Sequence, residues 1–284
     1  MIEINLIIAF ILLAIATYSD IRWREVADWL NYAGIAVGLG IFLIYSLVSF
    51  SFTPILKSLT GLVIFSLIGV LLYYTGQWGG GDAKNLMALG TLIGLSFDFN
   101  AFGVAFLFNA IFASAAYGLI STLFLTIKNF KKIKLTIPKI ANLKFLKILI
   151  SIFFISVFLA FVIFPYPIDF LFSAIFFVAL LLFLLSILIK VIEKVAFLKR
   201  VAPEELTEGD WIAKEIKIDG KTICGPKDLG ISKEKINYLI KLKKQGKIKR
   251  VLIKTGIPFI PSFLFSFIFT LIFGNIFYKI LLLY

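Results

Sequence analysis

Apolar residues run through this chain in long uninterrupted stretches separated by short polar breaks. Eight stretches can be marked, at 4–19, 29–50, 55–75, 83–97, 100–127, 145–164, 168–190 and 257–283. Most exceed the roughly 18–20 residues that an α-helix needs to cross a bilayer. The pattern therefore predicts an all-α polytopic membrane protein of about eight spans. The fourth stretch is the shortest and most polar, opening on Asp82, Lys84 and Asn85. The first follows Glu3 and lacks a small-residue cleavage pattern, so it reads as a retained span.

The breaks alternate in character. Ser51–Pro54, Asp98–Asn100 and Pro165-Tyr166-Pro167 are short, uncharged or acidic turns. The others, 20–28, 76–82, 128–144 and 191–256, carry the cations. With the N-terminus outside, all of the 29 Lys and Arg except Lys57 and Lys279 fall on the inner side. The positive-inside rule favours that orientation. It accounts for the net charge of +13 without nucleic acid. It also predicts that Asp20, ending the first span, and Asp82, beginning the fourth, both face the cytoplasm.

Residues 200–256 break the apolar pattern and read as a small cytoplasmic α+β domain inserted before the last span. Trp211–Ile218 has strand character, with Asp219-Gly220 as a hairpin turn. Ser232 is placed to cap a helix ending before Gly246, and Lys247–Lys254 reads as a further strand. The expected organisation is a membrane catalytic core over 1–127, a basic loop over 128–144, and further membrane helices over 145–199. The α+β domain over 200–256 and a C-terminal membrane helix over 257–284 complete it.

Composition narrows the chemistry. Hydrophobic residues make up 61% of the chain and mean hydropathy is +1.02. There is no histidine and one cysteine, Cys224. A Ser-His-Asp triad, a Cys-His dyad, an internal disulfide and the usual zinc sites are thereby excluded. Acid–base work falls to carboxylates, Lys or Tyr, with no metal and no cofactor expected.

Of the 16 acids, most sit in turns or on the polar segment, where a solvated face is the default. Asp20, Glu25, Asp28 and Asp82 remain near the inner boundary. Acids there are costly and commonly functional. Asp82 follows Gly79-Gly80-Gly81, and backbone without side chains admits close approach of another chain. A purely structural alternative is that Asp82 caps the fourth span; Asp20 could be an ordinary interfacial acid. Two carboxylates at one site do not readily ionise together, so one can serve as base toward water while the other donates a hydrogen bond. From helix direction alone, Asp82 lies at a helix N-terminus and Asp20 at a C-terminus. That predicts Asp82 as the more readily ionised partner.

These elements resemble the archaeal prepilin and preflagellin peptidases (class III signal peptidases, peptidase family A24), which belong to the GxGD aspartyl proteases. One matching segment is Gly79-Gly80-Gly81-Asp82-Ala83-Lys84. A second is Tyr18-Ser19-Asp20-Ile21-Arg22-Trp23-Arg24-Glu25-Val26-Ala27-Asp28-Trp29-Leu30. The third runs from Gly209-Asp210-Trp211 to the Ile257-Pro258-Phe259-Ile260-Pro261-Ser262 stretch. The resemblance implies Asp20 and Asp82 as the catalytic pair. It also implies leader-peptide removal from pilin-like or archaellin precursors at the cytoplasmic face. The implied partners are precursors with a short basic leader followed by an apolar helix, and the bilayer itself. Gly79, Gly80, Gly81, Lys84, Glu25 and Asp28 are candidates for substrate contact or loop geometry. For Glu25 and Asp28, pairing with Arg22 and Arg24 is an equal reading; Lys84, two residues from Asp82 on a helix, does not share its face. Ala27 stands where many relatives have proline, and the single cysteine lends no support to the zinc element of bacterial members. Two alternatives stand beside this reading: a presenilin-like intramembrane protease, and an ion-coupled transporter using the same carboxylates. The oligomeric state is not readable.

Overall fold

The computed structural model describes residues 3–140, 142–165, 168–218, 221–226, 228 and 230–281. Its membrane region is built from α1 (Ile4–Trp23), α2 (Asp28–Val48), α3 (Thr53–Tyr74), α4 (Gly80–Ile93) and α5 (Phe102–Lys128). After α6 (Phe130–Ile140) come α7 (Leu143–Ile163) and α8 (Ile168–Ile192). Six helices are long and apolar enough to cross a membrane: α1, α2, α3, α5, α7 and α8. The chain is a multi-pass helical membrane protein. Two of the eight predicted spans are shorter helices. The 83–97 stretch becomes α4, of 14 residues. The 257–283 stretch divides into α10 (Ile260–Phe273) and α11 (Ile276–Leu281), between which Gly274 takes a positive φ of 66°.

Burial explains the short fourth helix. At 1.5 Å per residue α4 is about 21 Å long, less than the hydrocarbon thickness of about 30 Å. It has little need to meet lipid, because α1, α2, α3 and α5 pack around it. Nine of its residues, Ala83, Asn85, Leu86 and Ala88–Ile93, are buried. Glycines permit the close approach. A Cβ on Gly61 of α3 would lie 2.1 Å from the Gly90 carbonyl oxygen, and one on Gly90 would lie 2.4 Å from that of Gly61. Small residues at such crossings let helix backbones touch, which is how membrane helices associate without a hydrophobic driving force. Polar side chains then tie the helices. Asn5 Nδ2 donates to the Leu92 carbonyl, Ser58 Oγ to that of Thr91, and Asn85 Nδ2 to Asn31 Oδ1 at 3.1 Å.

α10 lies between α1 and α5 and runs antiparallel to α5. Asn109 Nδ2 reaches Thr270 Oγ1 and the Gly274 carbonyl, and Ser266 Oγ donates to the Phe106 carbonyl. Phe65, Phe106, Phe263 and Phe267 fill the space beneath them.

The segment read as a basic loop over 128–144 contains a helix, α6. Its apolar positions Phe130, Ile133, Ile137 and Ile140 recur at helical spacing, and Ile133 is buried against Val191 and Ile192 at the end of α8. α8 continues through a π-helical turn over Glu193–Phe197 into β1 (Leu198–Val201), a strand the apolar pattern does not reveal.

The polar segment folds around its own core of Leu206, Ile212, Cys224, Ile231, Ile236, Leu239, Leu242, Val251 and Ile253. The predicted Trp211–Ile218 strand is two shorter ones, β2 (Trp211–Ile212) and β3 (Ile216–Ile218). β3 pairs with β4 (Lys221–Cys224), Ile216 facing Cys224. The Asp219-Gly220 turn, like Tyr166-Pro167, lies outside the described residues. Ser232 caps α9 (Lys233–Lys244), accepting the Lys235 N–H, and Gly246 follows the helix at a φ of 75°. The last strand, β5 (Val251–Lys254), is central in an antiparallel sheet of order β1-β5-β2.

Candidate active site

Asp20 sits in the last turn of α1 and is 7% exposed. Its Oδ2 accepts the backbone N–H of Ile260 at 3.0 Å, across 240 residues of sequence. That N–H belongs to the first turn of α10, one of the groups a helix leaves without an internal partner. The amides and the dipole at this terminus favour a carboxylate. Asp20 therefore has a helix N-terminus of its own. The simple contrast between the two aspartates drawn from α1 alone does not survive, because α10 offsets the unfavourable end of α1.

Asp82 occupies the third position of α4 and is half-buried. Its Oδ2 accepts the Gly79 N–H at 3.1 Å, the backward arm of an N-terminal cap. The capping role is thus present, and it orients the carboxylate. α1 and α4 are antiparallel neighbours, since Asn5 near the start of α1 meets Leu92 near the end of α4. The end of α1 and the start of α4 accordingly come to the same end of the bundle. The two carboxylates are close enough to act on each other electrostatically. The segments bearing them are also close: a Cβ on Gly81 would lie 3.8 Å from Val26, which follows α1.

The three glycines are not demanded by packing. Gly79 has an ordinary φ of −73°. A Cβ on Gly80 would come no closer than 3.7 Å to Tyr73, and one on Gly79 would meet Asp82 Oδ2 at 3.4 Å. Contacts of 3.4–4 Å are ordinary, so side chains would fit there, unlike at Gly61 or Gly90.

The remaining candidates divide. Lys84 does not turn to Asp82. Its Nζ bridges both oxygens of Asp28 at 2.7 and 2.6 Å and lies 5.8 Å from the centre of the Tyr32 ring. Asp28 thus pairs with Lys84 of α4 rather than with Arg22 or Arg24. Glu25 is exposed on the α1–α2 loop, its backbone carbonyl accepting Ser19 Oγ. Arg24 Nη1 donates to the Gly256 carbonyl. Among the described residues no group of three or more His, Cys, Asp or Glu side chains is placed to hold a metal ion.

Several contributors escape a linear reading. The Ile260 amide reaches Asp20 only through tertiary contact, and so do the partners of Arg24 and Trp78: Gly256 for the one, Phe259 and Phe263 for the other. The proline-flanked Ile257–Pro261 stretch was legible as a helix start but not as the element over Asp20. The same holds for Asn31 and Asn85: Asn85 Nδ2 donates to Asn31 Oδ1, while Asn31 Nδ2 and Asn85 Oδ1 are buried without a hydrogen-bond partner among the described residues.

The comparisons with known proteins fall on this region. Residues 7–119, which include both aspartates, match the model of the type IV leader peptidase family. Among similar proteins, a preflagellin peptidase of Methanococcus voltae is 36% identical over 81 residues, 28% of this chain and 34% of that protein. One from Methanococcus maripaludis is 35% identical over 91 residues, 32% of this chain and 39% of that one. One from Methanocaldococcus jannaschii is 32% identical over 90 residues, 32% of this chain and 38% of that one. The chain thus spans little more than a third of the length of the curated relatives it matches. No solved structure matches it. What the chain shares with the type IV leader peptidase family is this stretch, from α1 into α5.

Proposed function

We propose that the chain is a membrane-embedded aspartic endopeptidase. It removes leader peptides from prepilin-like or preflagellin precursors at the cytoplasmic face, with Asp20 and Asp82 as the catalytic pair. The observation that carries this reading is the meeting of the two buried or half-buried carboxylates at one end of the bundle, inside the family-matched region. The relatives' names support preflagellin as the substrate class.

In this reaction the ionised carboxylate takes a proton from water as its oxygen attacks the scissile carbonyl carbon. The protonated carboxyl donates a hydrogen bond to the carbonyl oxygen as charge develops there. Collapse of the tetrahedral intermediate breaks the C–N bond, and a carboxyl proton passes to the departing amine. One proton held by two neighbouring carboxyls suffices, which is the arrangement that mutual repulsion favours. The pair titrates as a unit. The substrate's apolar helix lies among the spans, and its leader crosses the glycines before α4. The bare backbone at Gly79–Gly81, which packing does not require to be glycine, supports that path.

The test is cleavage of purified preflagellin-like and prepilin-like precursors by the full chain in lipid. Asp20→Asn and Asp82→Asn should each abolish cleavage while the protein stays folded. Retained cleavage in both variants removes the catalytic pair. Failure of the folded parent to cut any precursor removes the activity.

A further inference from the structure

Both aspartate loops are gripped by the same distant piece of the chain, the connector from β5 to α10 and the α+β unit that carries it. On the Asp20 side, the Ile260 N–H holds the carboxylate and Arg24 Nη1 donates to the Gly256 carbonyl. Arg24 caps α1 in the left-handed conformation, φ 60° and ψ 27°, its own N–H closing on the Asp20 carbonyl. A non-glycine residue rarely takes that conformation unless the surroundings hold it there. On the Asp82 side, the Trp78 ring, immediately before the glycines, packs on Phe259 and Phe263 with centroids 5.1 and 5.3 Å apart. Two residues earlier, Gly76 turns at φ 70° beneath Trp211 of β2, whose ring would lie 3.3 Å from a Cβ there. The connector is itself anchored: the Thr255 N–H and Oγ1 both donate to the Phe197 carbonyl, at 2.9 and 3.0 Å.

We infer that the β5–α10 connector and the α+β unit form a bracket that sets the separation of the Asp20 and Asp82 loops, with Arg24 and Trp211 as positioning residues on its two arms. The inference rests on the proposed catalytic pair for its kinetic consequence, though not for its geometry. Each carboxylate stands where a helix meets a loop, and loops move more freely than packed helices. α1 and α4 bring the loops to one end of the bundle. The bracket then ties each loop, at two points, to one small folded body. A displacement of 1 Å in such a constellation costs about a hundredfold in rate. The connector and the α+β unit lie beyond residue 119, past the end of the family-model match.

The test uses the full chain in lipid and four variants: Arg24→Ala, Arg24→Lys, Trp211→Ala and Trp211→Phe. On a precursor that the parent cleaves, each alanine variant should lower kcat about tenfold or more with KM within about twofold. Arg24→Lys, which keeps a donor, and Trp211→Phe, which keeps a ring, should recover most of the loss. A structural readout runs in parallel. Spin labels on cysteines at exposed Ile21 and Gln77, in a Cys224→Ser background, report the distance between the two loops. That distribution should broaden in the alanine variants and narrow again in the conservative ones. An unchanged distribution together with unchanged kcat overturns the inference, as does a change in KM alone. If the folded parent cleaves nothing, the proposed activity fails and the label distances alone decide: broadening sustains the bracket and no change refutes it.

Discussion

Replacing Gly80 or Gly81 by alanine should separate activity from stability. Both occupy the first turn of α4, and an added Cβ would stand 3.7 Å from Tyr73 or 3.8 Å from Val26, within ordinary packing distance. Glycine to alanine in a helix interior gains about 0.5–1 kcal/mol, and less is expected at a first turn. The folded state should therefore be unchanged or stabilised by up to about 1 kcal/mol. A leader peptide crossing this backbone would meet the new methyl group. A shift of its scissile bond by about 1 Å predicts a fall in kcat/KM of roughly tenfold to a hundredfold, with Gly81→Val worse. Gly61→Ala and Gly90→Ala provide the contrast. Their Cβ atoms would lie 2.1 and 2.4 Å from opposing carbonyl oxygens, and overpacking of that kind costs about 1–3 kcal/mol. The assay pairs precursor cleavage with denaturant unfolding in detergent, followed by tryptophan fluorescence. If Gly80→Ala and Gly81→Ala keep kcat/KM within about twofold of the parent, the substrate does not cross the glycines. If they unfold the protein instead, the room for a Cβ at these positions is misjudged.

Other outcomes follow from single contacts. Asn85→Ala leaves Asn31 buried without its partner and should destabilise the bundle, whereas the Asn31–Asn85 coupling from a double-mutant cycle should be about 0.6–2 kcal/mol; zero coupling would show that the amides do not act together. Cys224 is 1% exposed, and burial pushes its thiol above the usual range. Little thiolate exists at neutral pH, so maleimide labelling should be slow and should track unfolding of the α+β unit; fast labelling of folded protein contradicts that burial. Glu204 is held below the ordinary carboxylate range by its hydrogen bond from Lys243 Nζ at 2.6 Å. Its stabilising contribution is complete above the ordinary glutamate value and disappears as pH falls through the lowered one. Glu204→Gln should remove that part of the acid sensitivity of the α+β unit, and an NMR titration of Glu204 at an ordinary or raised value would refute it. The Asp28–Lys84 pair is partly exposed, so Lys84→Met should change stability by less than about 1 kcal/mol, and less still in high salt; a larger loss would mean that the pair is not screened.

The membrane class was legible because hydropathy is a local sum, and a run such as 145–164 has few other readings. The α4 and α10 boundaries were not, since apolarity marks what is excluded from water without saying whether lipid or protein excludes it. α4 ends early because other helices cover it through contacts such as Gly61 with Gly90, and the glycine positions in the linear sequence do not show which pairs meet. α6 carried a helical signal in Phe130, Ile133, Ile137 and Ile140, but its lysine density reads as a loop. Asp82 announced itself through the glycines before it. Lys84 did not announce its partner, because Asp28 lies 56 residues away on another helix.

The same limit governs the electrostatics of the two acids. Helix direction is local information, and it set Asp82 at a favourable terminus and Asp20 at an unfavourable one. A dipole acts through space and falls off within about a turn, so the helix that matters is the nearest one rather than the one that contains the residue. For Asp20 that includes α10, which offers the Ile260 N–H from the far end of the chain. A carboxylate at the C-terminal end of its own helix can therefore be buried where α10 begins. Losing α10's first turn would take away the Ile260 N–H and leave the carbonyl end of α1 less well offset. The C-terminal part of the chain, although it lies outside the family-matched region, thus completes the environment of an aspartate inside it.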